Sequence, residues 1–172
     1  IEIYNYCINN SISVIAINHI LDQRYGSNNI SSHDSITIPC IQIKKLNDIY
    51  LNKEYNKILL ESNVILINEA QFFEDLFNFT IDLVDNKYKK VHICGLDGDF
   101  KRNKFGQISD LIPYCNTITK LSAICNNCTY GQAALFSHRI TNEAEQTCIG
   151  STIYTSLCRQ CYIKKNYKSS NS

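Results

Sequence analysis

The run Ile12–Ile17 (ISVIAI) restricts the fold more than any other stretch of the chain. It is nearly continuous in β-branched residues, the mark of a strand buried on both faces. Val64–Ile67 (VILI) and Val91–Leu96 (VHICGL) read the same way. Between those two, Gln71–Asp85 sets Phe72, Leu76, Phe79 and Leu83 at helical spacing, with Glu74 and Asp75 in the first turn. Strand, helix and strand within about 30 residues form a βαβ unit, which implies a parallel sheet. Ile1–Cys7 reads as the end of a helix feeding the first strand, and Ile38–Leu51 as a looser mixed stretch.

The character changes near Lys120. Ala123–Tyr162 holds five of the nine Cys and no long apolar run. The expected division is an α/β domain over 1–120, a small second domain over 121–165 and a polar tail over 166–172. With 172 residues the chain has length enough for a core without disulfides. Its 17 basic and 16 acidic residues exclude a globally basic nucleic-acid binder and an acidic tail protein. The first ten residues carry no basic region or small-residue cleavage site, and no apolar run reaches the roughly 18 residues of a membrane span. A cytoplasmic protein with no membrane or nucleic-acid partner is therefore expected.

Cys125-x-x-Cys128 and Cys158-x-x-Cys161 stand 29 residues apart. Each CxxC turn supplies two thiolates, and two such knuckles close a tetrahedral, structural zinc site. The alternatives are disulfides, which the lack of a signal peptide disfavours, or a redox motif. Cys7, Cys40, Cys94, Cys115 and Cys148 are scattered and read as small buried hydrophobes.

Asn68-Glu69-Ala70-Gln71 follows the VILI strand directly. In open α/β sheets the carboxyl ends of strands line the ligand crevice. A carboxylate there takes a proton from a substrate hydroxyl or helps to hold Mg²⁺, or else it simply favours a helix dipole. Asp22-Gln23-Arg24-Tyr25 follows the first strand and suits either phosphate recognition or a surface turn. His33 lies in a polar loop and is given no catalytic role. Phe100 and Phe105 after the third strand either stack on a flat base or pack in the core.

Taken together, these residues resemble the type II thymidine kinases. The ordered set is Asp22-x-Arg24-Tyr25, Ser32-His33-Asp34, Glu69-x-Gln71-Phe72-Phe73, Leu96-Asp97-Gly98-x-Phe100 and Phe105-Gly106. It continues through Cys125-x-x-Cys128, Leu135-Phe136-Ser137-His138-Arg139 and Tyr154-x-x-x-Cys158-Arg159-x-Cys161-Tyr162. The likeness runs from about residue 1 to about 165. It implies a P-loop α/β domain with a zinc-bearing lasso domain, usually a homotetramer. The implied reaction moves the γ-phosphate of Mg-ATP to the 5′-hydroxyl of thymidine, making dTMP in deoxynucleoside salvage.

On that resemblance Glu69 is the general base. Asp22, Arg24, Asn68 and Gln71 approach ATP and Mg²⁺. Phe72, Leu96, Phe100 and Phe105 wall the base, and Ser137, Thr147, Gly150 and Tyr154 belong to the thymidine-closing lasso.

The sequence also departs from the family pattern. It has no G-x-x-x-x-G-K, and Ile1-Glu2-Ile3 aligns with the helix after that phosphate loop. With no Met in the chain, this predicts a truncated N-terminus and a poor kinase as the chain stands. Asn68 stands where the family has Asp, bringing no charge to the metal shell. A single Gly150 replaces the usual Gly pair. A catalytically decayed paralogue that keeps the nucleoside and zinc sites is the alternative reading.

Overall fold

The computed structural model describes residues 1–22, 28–32, 34–142, 145–146 and 153–167. Arg24, Tyr25, His33, Thr147, Cys148 and Gly150 lie outside the described residues. The chain forms two compact units, one of 1–97 with 105–113 and one of 98–104 with 114–172.

In the first unit, α1 (Glu2–Asn9) leads into β1 (Val14–His19). A short antiparallel pair follows, β2 (Asn29–Ser31) and β3 (Thr37–Pro39), then β4 (Ile41–Ile43). A 3₁₀ turn over Leu46–Tyr50 and α2 (Lys53–Glu61) cross to β5 (Val64–Ile67). From there α3 (Leu76–Ile81) leads to β6 (Lys90–Ile93). The sheet order is β4-β1-β5-β6 and every pairing is parallel. This is the α/β architecture expected from the apolar runs. Ile15, Ile17, Ile65 and Ile67 are buried, with Leu59, Phe73, Leu76, Phe79 and Leu83 in the same cluster. Each such side chain contributes about 1.5–3 kcal/mol through burial.

β1 runs two residues past the apolar stretch, because Asn18 and His19 pair with Gln42 and Ile43 of β4. The helix expected over Gln71–Asp85 is broken. Ala70–Phe72 is a 3₁₀ turn, Phe73 is extended, and α3 begins at Leu76. Asp75 sits at the α3 N-cap, but its carboxylate accepts from the Leu46 and Asn47 N–H groups at 3.1 and 2.9 Å. That carboxylate closes a different element, so the approach to α3 stays irregular. α2 is capped locally. The Asn52 side chain accepts from the N–H groups of Glu54 and Tyr55 at 2.9 and 3.1 Å.

The second unit is small. β7 (Ala123–Ile124) pairs with β8 (Ala133–Ala134), β9 (Phe136–Arg139) pairs with β10 (Tyr154–Leu157), and α4 (Arg159–Tyr167) follows. Its core is Cys125, Ala134, Leu157, Cys158, Cys161 and Tyr162, with Cys128 and Phe136 against it. Gly98 and Lys104 bridge as an antiparallel pair, making 98–104 a tight hairpin of this unit.

Candidate active site and metal centre

Glu69 stands two residues past the end of β5, at the carboxyl end of the parallel sheet. Its backbone is left-handed (φ 50°, ψ 39°), a conformation that non-glycine residues adopt at a cost. Two main-chain bonds pin it there: Ala70 N–H donates to Cys94 O at 3.1 Å, and Phe72 N–H to Glu69 O at 3.1 Å.

Gln71 directs the carboxylate. Its Nε2 donates to Glu69 Oε2 at 2.7 Å, and its Oε1 accepts from Leu96 N–H at 3.0 Å. The Gln71 amide is therefore committed between β5 and the chain after β6. Two glycines make room for it. A Cβ on Gly95 would stand 2.3 Å from Gln71 Oε1, and one on Gly106 would stand 2.3 Å from Gln71 O. Gly106 also has φ +62°.

Asn68 sits in a chain of polar side chains across the strand ends. Cys94 Sγ donates to Asn68 Oδ1 at 2.9 Å, and Asn68 Nδ2 donates to Asn18 Oδ1 at 3.1 Å. Asn18 Nδ2 then donates to Asp22 Oδ2 at 3.1 Å. Asn18 is fully buried. Desolvation, helped by the Glu69 carboxylate, raises the Cys94 pKa and keeps its thiol a donor. His19 is buried too, and desolvation lowers its pKa. It is neutral, with Nδ1 accepting from Leu21 N–H at 3.2 Å and its ring edge-on to Phe73.

Of the expected base walls, Phe72 and Phe105 meet edge to face at 5.6 Å in the first unit. Leu96 is about half exposed in the same unit. Phe100 belongs to the second unit, as do Ser137 on β9 and Tyr154 on β10. Asn18, Cys94 and Gly95 carried no signal in the sequence. Their places in the site rest on contacts across strands, which the linear sequence does not display.

The candidate metal centre lies in the second unit. Cys125 and Cys128 flank the turn after β7. Cys158 follows β10, and Cys161 lies in the first turn of α4. Their four sulfurs lie within 4.8 Å of one another, with Cys128 at 3.7 Å from Cys158 and 3.4 Å from Cys161. A zinc tetrahedron with bonds of about 2.3 Å has edges of about 3.8 Å, so the donor set fits zinc. Different hydrogen-bond partners push two of the thiols in opposite directions. Cys125 is lowered to about 6, chiefly by the Cys158 backbone N–H, and Cys128 is raised to about 12, chiefly by its bond with Cys161. Asn127 Nδ2 donates to Cys161 Sγ at 3.4 Å, orienting one ligand from outside.

A parallel sheet presenting a fixed acid at a strand end, in a chain that also carries a four-cysteine cluster able to hold a metal, defines an α/β protein with a candidate strand-end site. Comparison with known proteins agrees. A family model described as "Thymidine kinase" matches residues 1–162. A thymidine kinase of Oryza sativa subsp. japonica is 40% identical over 157 residues, covering 89% of this chain and 56% of that protein. One of Yaba monkey tumor virus is 39% identical over 153 residues, covering 88% and 79%. A chicken protein named "Thymidine kinase, cytosolic" is 35% identical over 152 residues, covering 88% and 64%. The chain belongs to the thymidine kinase family. It spans just over half the length of the rice relative.

Proposed function

We propose that this chain carries the nucleoside and base-catalytic part of a thymidine kinase, a phosphotransferase moving the ATP γ-phosphate to the thymidine 5′-hydroxyl. The supporting observation is Glu69, held in a strained backbone at the end of β5 with its carboxylate aimed by Gln71. A carboxylate fixed in this way accepts the hydroxyl proton as the oxygen attacks phosphorus, and positioning supplies most of the rest. Phe72 and Phe105 give an apolar edge for a pyrimidine. Asp22, Arg24 and Asn68 approach the triphosphate, where Mg²⁺ bound with ATP would neutralise developing charge. Ser137, Thr147, Gly150 and Tyr154 close over the base, and zinc on the four cysteines anchors their loop. The reading includes a cytoplasmic homotetramer. Among the described residues no helix is long and apolar enough to cross a membrane.

Steady-state phosphorylation of thymidine by the chain, alone and joined to a Gly-rich phosphate loop, tests this. Glu69→Gln is expected to lower kcat by about 100-fold or more. A joined chain no faster than its Glu69→Gln variant overturns the proposal.

A decayed, non-enzymatic paralogue is the second reading, and Asn68 favours it. That side chain brings no charge and is spent between Cys94 and Asn18. Asn68→Asp separates the two. In an enzyme weakened at its metal shell it raises the rate by about tenfold or more. In a decayed protein it leaves thymidine unphosphorylated.

A further inference from the structure

Arg139, the last residue of β9, is only 5% exposed. A buried guanidinium is tolerated where its donors and its faces find partners. Its Nη atoms donate to the main-chain oxygens of Glu145 and Gln146, the latter at 3.2 Å, and to the Tyr154 hydroxyl at 2.5 Å. Its face lies 3.8 Å from the Phe100 ring centre and 5.2 Å from that of Tyr154. The neighbouring Gln146 amide donates to the Asp99 carboxylate at 2.9 Å and to Lys104 O at 3.2 Å. The hairpin 98–104, the chain at 145–146 and strand β10 thus converge on one side chain within the second unit.

We propose that Arg139 is a positioning residue: it fixes Phe100, Tyr154 and the main chain at 145–146 as one rigid group before a nucleoside binds. The nucleoside part of this rests on the reading of Phe100 and Tyr154 as thymidine-contacting residues. Lysine cannot take the place. It keeps the charge, but it lacks the fork that reaches two carbonyls and a hydroxyl together and the planar face that covers Phe100.

The test is Arg139→Lys in the full chain. Zinc content verifies the fold, hydrogen exchange reads out peptides over 98–104 and 145–146, and calorimetry reads thymidine affinity. The expected result is undiminished zinc, exchange at both peptides faster by about tenfold, and thymidine affinity weaker by about tenfold. Exchange indistinguishable from the parent chain overturns the proposal. Faster exchange with thymidine affinity unchanged, or with no thymidine binding by either protein, keeps Arg139 as the organiser and removes the nucleoside reading of Phe100 and Tyr154. Should Arg139→Lys lose zinc, Phe100→Leu decides. It keeps apolar bulk and deletes the π face, so faster exchange at 98–104 and 145–146 supports the role of Arg139, and parental exchange overturns it.

Discussion

Gln71 shows how a single residue organises a strand end. Its side chain spans from Glu69 to Leu96, and its main chain lies where only a glycine at position 106 leaves room. Gly106→Ala meets both a positive φ and a backbone atom at 2.3 Å. It is expected to cost about 2 kcal/mol, read as a lower urea midpoint, and to release Glu69 from its partner. A midpoint equal to that of the parent chain would show that the cradle does not constrain Gln71. Glu69 and Gln71 were legible in the sequence because they follow an apolar run in the first unit. Gly95 was not, because its neighbour in space lies 24 residues earlier in the chain.

At the scale of elements, the parallel sheet was visible in its β-branched runs, since burial on both faces leaves no polar alternation to read. The broken α3 was not visible. Its apolar spacing is helical throughout, and the interruption comes from Asp75 serving Leu46 and Asn47, about 28 residues away. Where capping is local, the sequence suffices. Asn52 caps α2 with two bonds, and Asn52→Ala is expected to destabilise the chain by about 1 kcal/mol, measured by thermal or urea unfolding. A Ser at the same position restores most of that loss. If alanine and serine unfold alike, the cap contributes nothing.

At the scale of the whole molecule, the cysteine cluster supplies much of the second unit's small core, since Cys125, Cys158 and Cys161 are half of its buried residues. Chelation is expected to unfold 114–167 while 1–97 keeps its sheet, and limited proteolysis would read this as cuts confined to the second unit. Because Tyr162 donates its hydroxyl to Phe100 O, the same treatment should expose 98–104 to cleavage. Protection of that hairpin after zinc removal would contradict the coupling. The hairpin interrupts the first unit along the chain, while its contacts group it with the second. The chain leaves that unit after residue 97, returns at 105 and leaves again after 113. The two units are therefore interleaved along the gene, and no single cut of the chain leaves each unit with all of its own residues and none of the other's. Separating them requires removing 98–104 from between the two parts of the first unit and fusing it to the rest of the second.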